Sequence, residues 1–137
     1  MRNLTGLKVI IVMASSLTIL ACASYGGQPV EQWPFRSIVA LIANPDEYHG
    51  KVVQTEGVAV IGFEVDAIFL SRDDVREGAL LNSVALSLHD VPMSEEEKRK
   101  LDGQYVIVRG VFTKHPNELR GGISQISRIY VSKDSED

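Results

Sequence analysis

A short sequence segment bounded by two glycines occurs twice in the chain, 53 residues apart. This repeat limits the possible folds more than any other feature. Gly50 opens the first copy and Gly57 closes it, with β-branched and polar residues between them, and Gly103 and Gly110 take the same places in the second copy. The opening glycine suits a turn with positive φ, and the proline-free run that follows suits a strand. Glycine inside a strand marks a bend or a close approach of two backbones. The repeat therefore predicts two equivalent strands of one closed sheet.

Alternation along both copies predicts which side chains point into the closed sheet. Residues of a strand that are two apart share a face, and in both copies one face carries mainly small and apolar side chains. We expect this face to line the interior; it comprises Val53, Thr55, Gly57 and Ala59 in the first copy, and Val106, Val108, Gly110 and Phe112 in the second.

Start and stop signals predict the remaining elements. Ser37 is an N-cap for a helix that Asn44-Pro45 must interrupt, and Ser94 with Glu97 forms a capping box for a short second helix. Strands are expected at 51–60, 67–70 and 83–89, then across the second glycine-bounded segment and at 123–131, whereas 71–78 is expected to be a polar loop. The last strand is ambiguous, because an isoleucine at every third position from Ile123 to Ile129 also suits a helix. This segment is rich in residues that favour β structure, so we expect a strand.

Three strands, a helix and two further strands is the order of the five-stranded OB-fold barrel. The chain is therefore expected to be mostly β, a small OB-like Greek-key barrel with an N-terminal helix and a short helix between strands 3 and 4. The segments 41–51, 70–74 and 101–106 also resemble a group of short exported bacterial proteins with OB-like domains. This resemblance extends over most of 36–131 and implies the fold. It brings no catalytic residues with it.

The N-terminal 21 residues have the composition of a signal peptide, with Arg2 and Lys8 as their only charges and an apolar run too short to span a bilayer. The run ends in Ile19-Leu20-Ala21-Cys22, which resembles a bacterial lipobox. That resemblance implies cleavage before Cys22, a diacylglycerol on its thiol, and attachment to the cell envelope. Because Ala23 follows instead of aspartate, the periplasmic face of the outer membrane is expected in an organism with two membranes. A plain secretory signal, or a buried thiol after an uncleaved anchor, is the alternative.

The expected domain organisation follows from these signals. Residues 1–21 are the signal peptide, 22–35 the lipidated N-terminus and tether, 36–132 the barrel domain and 133–137 a polar tail. Loss of 1–21 would remove two of 14 basic residues and none of 18 acidic residues, which leaves a net charge of −6. Nucleic acid is an unfavourable partner for such a chain, because its binding depends on neutralising phosphates.

Motifs for catalysis or metal binding are missing from the sequence, and we expect no catalytic residues, no metal and no cofactor. His49, His89 and His115 occur singly, without the spacing of a zinc site. The acids Asp73 and Asp74 alternate with arginines and lack the spacing of a calcium loop. Both acids are therefore expected to lie in a solvated loop.

A ligand surface, if the OB geometry holds, would lie on the outer face of strands 2 and 3 and in the loops beside it. Ile68 and Ala85 are expected to point outward there. The candidate ligand-binding residues are Glu64, Asp66, Ser87, His89, His115, Asn117 and Arg120.

Three functions remain open at this point. The first is a non-enzymatic, lipid-anchored binding or adaptor module of the envelope, with a protein, glycan or small molecule as its ligand. The second is a hydrolase or metal-dependent enzyme that uses Asp73, Asp74 and His89 or His115. The third is a purely structural envelope protein, whose barrel only spaces other components.

Overall fold

The computed structural model describes residues 33–62, 64–115 and 119–133. The predicted signal peptide, Cys22, most of the tether and Asn117 lie outside these ranges. The elements, in chain order, are α1 (Ile38–Ala43), α2 (Pro45–Tyr48), β1 (Val52–Ile61), β2 (Asp66–Phe69), α3 (Arg72–Glu77), a 3₁₀ turn (Leu80–Asn82), β3 (Ser83–Leu86), α4 (Glu95–Leu101), β4 (Tyr105–Lys114) and β5 (Gly121–Val131).

The five strands form a closed barrel in the order β1-β2-β3-β5-β4. All neighbours are antiparallel except β3 and β5, which run parallel. This confirms the expected fold class, a small OB-like barrel of mainly β structure with an N-terminal helix and a short helix between β3 and β4. Among the described residues, no helix is long and apolar enough to cross a membrane.

The repeated segment forms two equivalent strands that pair with each other. Gly57 of β1 lies opposite Val106 of β4, and Gly110 of β4 lies opposite Val53 of β1. Gly57 and Gly110 are equivalent in the repeat, as are Val53 and Val106, so the two strands hold equivalent positions in the pair. The turn glycines are equivalent too. Both have a φ of 74°, and each donates its N–H across the pair at 2.8 Å, Gly50 to the Phe112 carbonyl and Gly103 to the Ala59 carbonyl. The predicted equivalence of the two strands is confirmed.

The second glycine of each copy lies where a further strand approaches closely. A Cβ on Gly57 would be 2.6 Å from the carbonyl oxygen of Phe69 in β2, and one on Gly110 would be 2.6 Å from that of Ser124 in β5. Real Cβ atoms do not tolerate such distances, so only glycine allows both neighbours to pack against the β1–β4 pair.

The interior is the face that the alternation predicts. All eight positions expected on it are buried, and α1 adds Ile38 and Leu41 while α4 adds Leu101. The helix caps that the sequence indicates are present. The Ser37 hydroxyl accepts the N–H of Ala40, and Ser94 forms a complete capping box with Glu97. Both caps satisfy N–H groups that have no partner within the helix.

Segment 71–78 is a helix and not the predicted polar loop. Ser71 caps α3, two acids lie in its first turn, Arg76 lies in its last turn, and Gly78 ends it in the left-handed conformation at φ 63°. Each of these is a helix signal. The alternating acids and arginines of this segment favour a solvated loop, but the exposed face of a helix can have the same composition.

The third strand ends at Leu86 and not at His89. Its antiparallel partner β2 begins at Asp66, and the pairing of the two strands begins with Ala67 opposite Ala85. Residues beyond Leu86 therefore have no strand on that side to complete a ladder. Leu88 is nevertheless buried in the core, as the alternation predicts.

The isoleucine spacing of β5 comes from a bulge and not from a helix. Arg109 pairs with Arg128 and Val111 pairs with Ser124, so Gly110 alone faces three residues, 125–127. Gln125 takes a positive φ of 47° within this bulge. Ile123 and Ile129 are six positions apart and therefore share the inward face, and the bulge allows Ile126 between them to pack against the same core. The predicted strand is confirmed.

Candidate functional site

The predicted ligand-binding residues that the structure describes do not form one group. Asp66 lies opposite Ile61 where β1 meets β2, and Glu64 belongs to the same end of the barrel. The β4–β5 connection, which carries His115 and Arg120, lies at the other end because Lys114 there pairs with Gly121. Ser87 lies beside the first residues of β5, since its N–H donates to the Ile123 carbonyl at 2.9 Å, and His89 follows beyond the end of β3.

The outer face of β2 is covered, and the predicted orientation of Ile68 is wrong. Ile68 is fully buried in the core between Ala59 and Val84. Ala67 and Phe69 occupy the opposite face of β2, yet both are buried as well, and α3 packs against β1 and β2. A strand of four residues is too short for its sequence to show which side chains point into the barrel. The sequence also does not predict α3, which covers the outer face of β2 and allows apolar residues on both of its faces.

Asp66 lines a cleft of about 420 Å³ with residues of the β1–β2 connection and α4. Its carboxylate accepts the N–H of Gly62 at 3.3 Å, and Lys98 across the cleft pairs with Glu95 at 2.8 Å. That ion pair raises the pKa of Lys98 and lowers the pKa of Glu95. The charges of Lys98 and Glu95 in this cleft are thus paired with each other within the protein.

The three histidines contact three different parts of the chain. His89 bonds to the adjacent Asp90 at 2.8 Å, and His49 accepts the N–H of Lys114 through Nδ1 at 3.3 Å. The His115 ring lies over Gly122, where an added Cβ would be 2.9 Å from Nε2. Within the described ranges, no group of three His, Cys, Asp or Glu residues is placed to hold a metal ion.

The acids of α3 hold that helix in place. Asp74 accepts hydrogen bonds from the Ser71 hydroxyl and, at 2.6 Å, from the Asn82 amide, and these bonds lower the pKa of Asp74, the Asn82 bond most. Asp73 pairs with Arg76 at 3.0 Å. His89 follows the far end of β3, so the acids and His89 of the enzyme hypothesis lie at opposite ends of this strand.

A cleft that the sequence did not predict lies between α1 and the 3₁₀ turn. It encloses about 380 Å³ and is lined by Ile42, Ala43, Leu81, Asn82 and Arg120. A second depression of about 550 Å³, lined by 78–82, shares Leu81 and Asn82 with it. Leu81 is 56% exposed and Val39, one helical turn before Ile42 and Ala43, is 48% exposed. We call this pair of depressions the α1 cleft.

The depression lined by 78–82 is mainly apolar, whereas the neighbouring one that Arg120 lines is mainly polar. Arg120 is the predicted ligand-binding residue that lines it. The Asn82 side chain is fixed by its hydrogen bond to Asp74, so α3 supports the wall of the cleft. Large exposed aliphatic side chains beside a guanidinium suit a ligand with an apolar part and an anionic group. A signal for this site is present in the sequence, in Leu80-Leu81, two residues after the helix-ending Gly78.

Comparison with known proteins finds no family model, no curated protein and no solved structure that matches this chain. The features of this molecule are therefore its own: a small closed β-barrel with a cleft beside its first helix.

Proposed function

We propose that this protein is a lipid-anchored, non-enzymatic binding module of the cell envelope, and that the α1 cleft is its ligand site. The observation that carries the proposal is the exposed Leu81, which lines both the mainly apolar depression and the neighbouring depression that contains Arg120. A small soluble domain gains stability by burying such side chains, so a group of them at a concave site favours a binding role.

The envelope location is supported by the sequence of the N-terminus. The lipobox-like Ile19-Leu20-Ala21-Cys22 follows an apolar run of signal-peptide length, and Cys22 is the single cysteine. Acylation of Cys22 would leave the exported domain without a thiol, as suits an oxidising compartment. In an organism with two membranes, the periplasmic face of the outer membrane is the proposed location.

The ligand is proposed to be an apolar segment of an envelope protein that carries a carboxylate. Leu80, Leu81 and Ile42 would contact its apolar side chains, and Arg120 would pair with the carboxylate. Burial of one leucine-sized side chain contributes about 1.5–3 kcal/mol, which suits a specific contact of modest affinity.

Photo-crosslinking in intact envelopes tests the ligand site. A photoreactive amino acid at Leu81 or Arg120 is expected to give the same discrete crosslinked protein, and one at His89, beyond the end of β3, is expected not to. Arg120→Glu in the Leu81 probe protein is expected to remove the product by charge repulsion, while Arg76→Glu, an exposed arginine on α3, is expected to leave it unchanged. Equal products from Leu81 and His89, or none from Leu81 and Arg120, would contradict the proposal.

A further inference from the structure

The last strand of the barrel extends beyond its neighbour on one side. β4 pairs with β5 along almost all of its length, up to Val131. On the other side of β5, the described pairing with β3 is limited to Gly122 and Ile123, and β3 ends at Leu86. The four residues that follow the bulge of β5 therefore lie at an edge of the sheet. We call this segment, 128–131, the β5 edge.

The hydrogen-bond pattern shows which backbone groups this edge presents. The Ser132 N–H donates to the Tyr105 carbonyl at 2.8 Å, so these two residues form a hydrogen-bonded pair of the antiparallel β4–β5 ladder. Such pairs alternate along a ladder with pairs whose N–H and C=O groups point away from the partner strand. Val131 and Ile129 lie one and three positions before Ser132, so their backbone groups point away from β4. Within the described ranges, no backbone hydrogen bond joins either residue to a loop or helix.

The side chains of the β5 edge are accessible too. Tyr130 is 40% exposed and Val131 is 39% exposed. An exposed edge with unpaired backbone groups is a template for a further strand, and proteins often protect such edges with lysine, proline or a covering element. The β5 edge contains neither lysine nor proline, and Arg128 is its single charged residue. This edge is therefore suited to pair with another strand.

The positions of the unpaired groups fit a second copy of the same edge. When two β5 strands run antiparallel about a two-fold axis at Tyr130, Ile129 of each copy lies opposite Val131 of the other. Both residues present outward N–H and C=O groups, so each of these symmetric pairs exchanges both of its hydrogen bonds. The two Tyr130 residues meet on the axis, and cross-strand aromatic pairs are favourable.

Other positions of the axis satisfy fewer groups. An axis at Ile129 would place Val131 opposite the bulge at 125–127. An axis at Val131 would place Ile129 opposite Lys133, which lies beyond the end of the strand. The two-fold axis at Tyr130 alone pairs both residues that have outward backbone groups with each other.

The charges along the edge agree with this arrangement. Arg128 would lie opposite Ser132 of the second copy, so the two arginines are not opposite each other. In an antiparallel pair, the end of one β5 lies beside Arg128 of the other. The sequence that follows this end, 134–137, contains three acids and no base. Charge complementarity thus favours a second copy of this chain as the partner.

We propose that the protein forms a two-fold dimer in which the β5 edges of two copies pair antiparallel about Tyr130. The inference goes beyond the proposed function and requires neither the lipid anchor nor a ligand. The β5 edge lies at the end of β5 remote from Arg120, so the dimer would present two accessible α1 clefts. A ligand with two suitable segments would then gain avidity.

Disulfide formation on the axis tests the geometry. Full-length protein with Cys22→Ser and Tyr130→Cys has a single thiol, and the Cα atoms of the two Tyr130 positions are expected about 4.5 Å apart, which suits a disulfide. Oxidation of the purified protein in detergent is expected to give a linked dimer. Val52→Cys is a control of similar exposure on β1, at 37%. Arg128→Cys is a control on the same strand, about 14 Å from its counterpart. Both controls are expected to give little dimer.

Charge exchange on the axis is a second test that needs no crosslink. In the Cys22→Ser background, Tyr130→Lys and Tyr130→Glu each place like charges opposite each other and are expected to weaken dimerisation about tenfold. A mixture of the two proteins is expected to restore the dimer, because opposite charges then meet on the axis. Sedimentation measures the association, and circular dichroism checks that each variant is folded. Val52→Lys is expected to leave the dimer unchanged.

Three results would overturn the proposal. The first is a Cys22→Ser protein that sediments as a monomer at every concentration. The second is a disulfide yield for Tyr130→Cys that is no higher than the yield for Val52→Cys. The third is a mixture of Tyr130→Lys and Tyr130→Glu that associates no better than either protein alone. None of these measurements involves the α1 cleft, so their failure leaves the proposed ligand site standing.

Discussion

Asp74 joins two elements through a single carboxylate. It caps the start of α3 through Ser71 and reaches the 3₁₀ turn through Asn82, and the same turn forms a wall of the α1 cleft. The sequence placed this residue in a solvated loop, because its partner Asn82 is eight positions away and no local pattern connects them. Hydrogen bonds between separate elements are what sequence periodicity does not reveal.

Asp74 is expected to make the stability of the fold depend on acidic pH. Its folded pKa lies below the ordinary value of 3.8, so the folded state binds fewer protons than the unfolded state. The stabilisation is therefore complete at neutral pH and is lost as the pH falls through 3.8 toward the folded pKa. Asp74→Asn is expected to lower the free energy of unfolding at pH 7 and to flatten its dependence on pH below 5. Urea unfolding at several pH values measures both effects.

Asp73→Asn is the matched control for this prediction, because Asp73 is highly exposed and pairs only with the exposed Arg76 among the described residues. An exposed pair of this kind contributes little to stability. The same pH dependence in Asp74→Asn and the wild-type protein would contradict the role assigned to Asp74.

The repeated strand is the element that the sequence predicted best. Gly50 and Gly103 form turns and Gly57 and Gly110 lie inside strands, as expected, and the alternation identified the buried face of both strands. These features are local or recur in the chain, so the sequence contains them. The phase of β2 and the existence of α3 were missed, since four residues of strand and six of helix give too few positions to establish a period.

Gly57→Ala and Gly110→Ala are expected to destabilise the barrel by similar amounts, at least about 2 kcal/mol each. In both variants the added methyl would meet a backbone carbonyl at 2.6 Å, which a rotating side chain cannot relieve. Gly62→Ala is the control, because its nearest neighbour would be 3.9 Å away and its stability should change by less than about 0.5 kcal/mol. Equilibrium unfolding in urea measures all three. Wild-type stability in Gly57→Ala would show that the strands are not packed as described.

For the whole molecule, the sequence predicted the barrel but not the candidate site on it. The strand order follows from hydrophobic patterns and turn residues, whereas the α1 cleft brings together 42–43, 78–82 and Arg120 from three separate segments. Among the residues predicted for the OB-like ligand face, Arg120 lines this cleft. The α3 helix covers part of the outer sheet. Of the other described candidates, Asp66 and Glu64 lie at the β1–β2 end, Ser87 lies beside β5 and His115 lies over Gly122.

An acyl chain on Cys22 is required for the proposed envelope binding module. Metabolic labelling with a clickable palmitate analogue, followed by purification of the protein, measures it directly. The wild-type protein is expected to carry the label and to fractionate with membranes, and Cys22→Ser is expected to lose both properties. An unlabelled wild-type protein, or a label that persists in Cys22→Ser, would contradict the lipid anchor.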